Sequence, residues 1–230
     1  MPNQDCYPQI QASIKSSFLS IIGVMGLMKI YRNSPHLNLN YCLSKIALSS
    51  NGKHNRYYLS KNIQQYALDQ GQVERRIIIM GLRYVFSAAH EGFRKSSGFE
   101  KSPTFRAHFC NKLALRNYDA LRAITRLLRN VYSHEVTSGD QGNILLTREH
   151  FKGFVNHQRK HKCPNTILLN ISPNEYKQFL LATDQAPSHL NLKISFQLSD
   201  LENGKNLDMI ISYNNRILLA EFFYYAILSI

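Results

Sequence analysis

Residues 113–134 read LALRNYDALRAITRLLRNVYSH, and two faces are written into them. Leu113, Ala114, Tyr118, Leu121, Ile124, Leu128 and Val131 recur at the spacing of one helical stripe. Asp119, Arg122, Arg126, Arg129 and Ser133 recur at i, i+3, i+7, i+10 and i+14, a polar line rich in arginine on another face. Such a helix packs on one side and presents cations on the other. Ser102-Pro103 supplies an N-cap and a proline at the first helical position, so one helix is expected from about Pro103 through His134, closed by Thr137-Ser138-Gly139-Asp140.

Towards the N-terminus, Ser60 to Lys95 is a long helical segment with Gly71 as a break. Ile77, Ile78, Met80, Leu82, Val85, Phe86 and Ala89 cover most of its circumference, the pattern of a helix central to a bundle. Gln9 to Tyr31 carries Ile14, Phe18, Ile21, Ile22, Met25 and Met28 and stops before Pro35. Asn40 to Ser49 reads as a short helix ended by the turn Ser50-Asn51-Gly52. Towards the C-terminus, Thr147 to Cys163 is polar and basic, and Thr166 to Ile171 reads as a strand. Ser172-Pro173-Asn174-Glu175 is a capping-box start for a short helix through Leu181. Alternation over Leu190 to Leu198 and over Leu207 to Tyr213, with Asn203-Gly204 between, predicts a β-hairpin, and Arg216 to Leu228 a closing helix. The 230 residues therefore divide into a mainly α bundle over 1–145 and, over 146–230, a basic segment with a small α+β annex.

Twenty-eight Lys and Arg against 15 Asp and Glu give a formal charge of +13, a field that attracts polyanions such as nucleic acid or anionic lipid. Charge alone names no substrate. Cys6, Cys42, Cys110 and Cys163 stand far apart with no C-x-x-C pair, which argues against a zinc ribbon or a disulfide-dense secreted module. A reducing, cytoplasmic setting is the expectation. The apolar run Ser16 to Met28 is 13 residues long, short of the ~20 that a spanning helix needs, so no membrane association is expected.

The arginine line ends in Arg129-Asn130-Val131-Tyr132-Ser133-His134, with four residues between Arg and His and an Asn directly after the Arg. Arg83 to His90 is a second, looser instance with six residues between. The R-N-x3-H segment resembles the Rx4–6H motif of the HEPN superfamily of helical ribonucleases and nucleotide-binding proteins, in spacing and in its place at the end of a core helix. The resemblance covers the motif and its helical setting and does not reach past residue 145. It implies a HEPN-like bundle, a homodimer whose two motifs line one cleft, RNA as partner and, in a toxin setting, an antitoxin. Toxin-type members often carry Tyr two residues after the His; here Val136 stands there, which sets the chain apart from that branch.

The chemistry implied is metal-independent endoribonucleolysis without a cofactor: the ribose 2′-OH attacks the adjacent phosphate, giving a 2′,3′-cyclic phosphate and a 5′-OH. An imidazole titrates near neutrality and can move the proton, and a permanently charged guanidinium steadies the phosphorane. His134 is the candidate for the first role and Arg129 for the second, with Asn130 orienting His134 or a phosphate oxygen. On a regular helix Arg129 and His134 lie roughly 140° apart. Arg129 must then reach round, the helix must distort near Ser133, or a second chain must complete the site. Arg122 and Arg126 are candidates to bind RNA phosphates, as are Arg159, Lys160 and Lys162. Glu91 or His90, on the neighbouring helix, and Ser133 are supporting candidates. The alternative is structural: Arg129 as a charge at the helix C-terminus and His134 as a cap, on a non-catalytic nucleic-acid-binding or interaction module. His150, His157, His161 and Cys163 lack a C-x-x-C partner pair, so no metal site is expected.

Overall fold

Asp5 caps two helices at once: its carboxylate accepts the backbone N–H of Tyr7 (2.9 Å) and of Thr104 (3.2 Å). The computed structural model describes residues 5–33, 46–50, 53–57, 70–96, 99–134, 144–161, 163–180 and 191–230. Helices α1 (Tyr7–Asn33), α2 (Gln70–Phe93), α3 (Pro103–Lys112), α4 (Leu115–Ser133), α5 (Arg148–Lys160), α6 (Pro173–Lys177) and α7 (Tyr213–Leu228) make the protein mainly helical. The strands are β1 (Ile46–Ser50), β2 (Lys53–Tyr57), β3 (Lys95–Ser96), β4 (Phe99–Glu100), β5 (Thr166–Ile171) and β6 (Leu192–Gln197), paired antiparallel as β1-β2, β3-β4 and β5-β6. No described helix is long and apolar enough to cross a membrane.

Two compact units emerge, one of residues Ser20–Ile79 and one of Met1–Leu19 with Met80–Ile230. In the smaller unit Ile21 and Ile78 are buried, whereas Ile22 and Met25 are exposed. Its hairpin corrects the helix expected from Asn40 to Ser49: Ile46 pairs with Tyr57 and Ser50 with Lys53. Two residues separate these strands, and in sequence they are Asn51-Gly52, a strong short-range hairpin signal that outweighs a weak helical pattern. The remainder of that stretch, like residues 60–69 of the long helical segment, lies outside the described residues.

In the larger unit residues 146–230 pack with the helices that precede them. Its core is aromatic. Phe109 of α3 sits 4.8 Å from Phe105, 5.4 Å from Phe93 of α2, 5.4 Å from Phe179 and 5.7 Å from Phe223 of α7, measured between ring centres. All five rings are buried, and a side chain of this size contributes about 1.5–3 kcal/mol when withdrawn from water. Helix α2 shows one apolar stripe, with Leu82, Val85, Phe86, Ala89 and Phe93 buried. Met80, 55% exposed, falls off it, so α2 is amphipathic and not apolar all round. The N-terminal end of α1 is tied to the end of α7 by Tyr7 Oη and Gln11 Nε2, which both donate to the Ile227 carbonyl.

The single helix expected from Pro103 to His134 is divided. Ser102 caps α3 as anticipated, accepting the Phe105 N–H at 3.3 Å, but Leu113 and Ala114 leave helical backbone (ψ 145° and 141°) and α4 restarts at Leu115. No Gly or Pro breaks the chain there; the turn lets both the Phe105–Phe109 face and the α4 stripe face the same core. Leu113 is buried and Ala114 exposed, while Tyr118, Leu121, Ile124, Leu128 and Val131 are buried as the stripe requires. Asn117 then pins β5 to α4, its amide donating to the Asn170 carbonyl (2.8 Å) and accepting the Asn170 N–H (3.1 Å).

The C-terminal hairpin is also corrected. Strand β6 is real, but its partner is β5, with Ile167 opposite Phe196 and Ile171 opposite Leu192. Gly204 does turn the chain, at φ +82°, a conformation glycine tolerates. Beyond it the chain forms a 3-10 turn, Leu207–Met209, and then α7. An alternating strand would bury Met209, which is 77% exposed; Leu207, Ile210 and Ile211 are buried at helical spacing instead. The capping box at Ser172–Glu175 forms as read, with Glu175 accepting the Ser172 N–H at 3.1 Å.

A Cβ on Gly92 would lie 2.6 Å from the Phe105 ring, which is itself held between Phe93 and Phe109. Gly92→Ala is expected to lower stability by about 1–3 kcal/mol through overpacking, read as a lower urea midpoint; an unchanged midpoint would refute the tight contact.

Candidate functional site

The C-terminal half of α4 is built from the inside outwards. Leu121, Ile124, Leu127, Leu128 and Val131 are fully buried, so Asp119, Arg122, Arg126 and Arg129 are turned to the opposite side, as the sequence period demands. Tyr132, inside the motif, is buried, and its hydroxyl accepts a hydrogen bond from Arg216 Nη1 of α7 at 3.0 Å. Arg216 is 2% exposed and also pairs with the Asp208 carboxylate. A guanidinium that deep needs both partners, and it ties the motif end of α4 to α7. Burial pushes the Tyr132 hydroxyl up to about 12, so it stays a neutral hydrogen-bonding group.

Beside the arginine line runs a cleft of about 1150 Å³. Its walls are the end of α2 (His90, Phe93, Arg94 and Lys95), the polar face of α4, the end of α5 (His157 and Gln158), and the approach to β5 from Cys163 to Leu168. From α4 come Arg116, Asp119, Arg122, Arg126, Arg129 and Asn130. Among the described lining residues Asp119 alone is acidic, and it lies 3.8 Å from Arg122. The surface is therefore strongly electropositive and concave, the arrangement that concentrates polyanions.

The histidines record this field. Burial, then the charges of Arg129, Arg126 and Arg94, push His90 down to about 4, against the opposing pull of Glu91. His157 is also lowered, by burial and by Arg126, His161, Arg122 and Lys160. Arg126 itself is lowered by burial and by Arg129. All three effects have one meaning: cations crowd a partly desolvated space.

Of the residues singled out in the sequence, Arg122, Arg126, Arg129, Asn130 and His90 are brought together along this cleft. Arg129 donates to the Asn130 side-chain oxygen at 3.2 Å. His134 is placed elsewhere. Helix α4 ends at Ser133, and His134 has left helical backbone (ψ 158°) as its C-cap, its N–H donating to the Asn130 carbonyl at 3.3 Å. Its exposed ring lies 5.7 Å from that of His150, whose Nδ1 accepts the Thr147 N–H at the start of α5. Ser133 and Glu91 are half-buried and do not line the cleft; Glu91 pairs with Lys101 and, at 3.5 Å, with Arg94. Arg159 and Lys160 are exposed on α5, away from the lining, and Lys162 lies outside the described residues.

Arg94 and Arg116 also line the cleft, although the sequence does not single them out as site residues, and so does His157, which the sequence offers only as a possible metal ligand. Arg116 extends the α4 line by one step of three and is legible in that period; Arg94 and His157 reach the cleft only through the packing of α2 and α5. His157 and His161, 4.3 Å apart between ring centres, have the spacing of a metal pair, but among the described residues no group of three His, Cys, Asp or Glu side chains gathers to hold an ion.

Tyr132→Phe removes an acceptor from buried Arg216 and is expected to cost about 1–3 kcal/mol in urea unfolding. His90 and His108 are each held down to about 4, His108 by burial and by Lys112, against an unfolded value of about 6.5. The unfolded chain therefore binds more protons, and the stability these neutral histidines carry is complete above about pH 6.5 and lost as pH falls towards 4. Thermal midpoints should drop across that window, and His90→Gln should flatten part of the drop; an equal slope in the variant would refute burial of neutral His90. No family model, curated protein or solved structure matches this chain.

Proposed function

We propose that the protein binds RNA along the arginine-lined cleft and cleaves it as a metal-independent, HEPN-like endoribonuclease. The observation that carries this reading is the alignment of Arg122, Arg126 and Arg129 with Asn130 on one wall of a concave, electropositive cleft. Guanidinium groups repeated along a helix suit the phosphates of a strand, and partial desolvation strengthens each contact. Arg129 steadies the developing phosphorane charge and His134 moves the proton between the 2′-OH and the leaving 5′-oxygen. Because His134 lies on the exposed cap and not in the cleft lining of its own chain, the catalytic reading takes a second copy to bring the groups together. That same placement favours a second reading, a non-catalytic RNA-binding module on which Arg129 and Asn130 hold phosphate.

The test is incubation of the purified 230-residue chain with structured and unstructured RNA in EDTA, beside a DNA control and Arg129→Ala and His134→Ala variants. The expected outcome is RNA cleavage leaving cyclic-phosphate ends, intact DNA, and a rate reduced at least about a hundredfold in each variant. Sedimentation of the same samples should give a dimer. Intact RNA with wild-type protein, or equal cleavage by His134→Ala, would overturn the nuclease; filter binding lost in Arg122→Ala and Arg126→Ala would then establish the binding module.

A further inference from the structure

Arg126 occupies the middle of the arginine line, and its charge acts on histidines from two different elements: His90 on α2 and His157 on α5. All three line the same cleft. We propose that Arg126, together with His90 and His157 of the same cleft lining, forms a subsite for a single phosphate group, which in the RNA-binding reading is one phosphodiester of the bound strand. The proposal rests on that reading for its ligand, but the subsite itself requires only the phosphate.

Facing His90 are Arg126 and Arg129 from α4, with Glu91 and Arg94 from its own helix. Facing His157 are Arg122 and Arg126 from α4, with Lys160 and His161 at the end of α5. The β5 wall, Thr166 to Leu168, carries no charge. Among the described residues, therefore, neither imidazole meets an anion from across the cleft, although two or more guanidiniums bear on each. A protein site that gathers cations into a partly desolvated space without a balancing carboxylate is poised to take an anion. Of the two carboxylates nearby among the described residues, Asp119 pairs with Arg122 and Glu91 with Lys101 and Arg94, so no described carboxylate pairs with Arg126.

A phosphate entering there reverses the field at both histidines. Its negative charge favours the imidazolium form of each, so binding takes up protons, and the protonated rings become two further donors to phosphate oxygens. The sign is fixed by this coupling: affinity rises as pH falls from the raised midpoint of the complex towards about 4, where His90 of the free protein titrates, and each unit of upward movement in one histidine's midpoint corresponds to about a tenfold tighter complex at the acid end. A simple arginine surface would show no such linkage.

The experiment is histidine-resolved NMR titration of the 230-residue chain, assigned with His90→Gln and His157→Gln, alone and with a saturating 2′-O-methyl oligoribonucleotide that cannot undergo 2′-OH attack. A parallel arm uses inorganic phosphate, and fluorescence anisotropy follows oligonucleotide binding against pH. The expected result is a rise of at least about one unit in the His90 midpoint and a smaller rise for His157 on adding oligonucleotide, both abolished by Arg126→Gln. Oligonucleotide binding without movement of either histidine would overturn the subsite and leave RNA binding standing. Movement with inorganic phosphate alone, and no oligonucleotide binding, would keep the subsite and overturn the RNA reading. No movement with either ligand and no binding would overturn both.

Discussion

Burial of one face of α4 is the constraint on which the larger unit depends. Leu121, Ile124, Leu127, Leu128 and Val131 have no exposed surface, and a rigid helix with that face fixed has no freedom left to choose where its other side points. Arg122, Arg126 and Arg129 are held side by side because the apolar residues between them are held, although like charges at this spacing repel. That repulsion is offset by packing elsewhere in the same helix, and by the Asn117 contacts to Asn170 that set β5 beside it. Local electrostatic strain sustained by a well-packed scaffold is a common mark of a binding surface.

The second dependency is the aromatic assembly around Phe109. It joins α2, α3, α7 and the residues after α6 through ring contacts between 4.8 and 5.7 Å and so holds the end of α2 that borders the cleft, while α5 packs directly on α4. His90 lies three residues before Phe93, on the same helix end that the aromatic cluster anchors. The Arg216–Tyr132–Asp208 network does the corresponding work at the far end of α4, where a buried guanidinium joins the motif to α7. The cleft thus has a rigid floor and two walls whose positions are fixed by different parts of one core.

Motif and cleft divide unexpectedly. Arg129 and Asn130 belong to the cleft, whereas His134 belongs to the cap of α4 and to the neighbourhood of His150. The angle of about 140° between positions five apart makes convergence within a regular helix impossible, and the chain leaves the helix at His134 without swinging its side chain back. Within one chain the imidazoles that line the arginines' cleft are those of His90 and His157, and burial first, then the nearby guanidiniums, lowers both.

Much of this is legible along the sequence. The two faces of α4, the Ser102 and Ser172 caps, strand β5 and helix α7 follow from periodicity and capping chemistry, because those properties depend on residues three or four apart and each segment carries its own evidence. The Asn51-Gly52 hairpin is equally local, and its signal is stronger than the faint helical pattern beside it. Other features have no local cause. The break at Leu113–Ala114, the pairing of β6 with β5 in place of residues 207–213, and the placing of His90, Arg126 and His157 in one cleft lining depend on residues far apart in the chain. Periodicity alone dictates that α4 buries one face and charges the other; which histidines share the cleft with the charged face is set by how the core fills space, and no single helix's period contains that information.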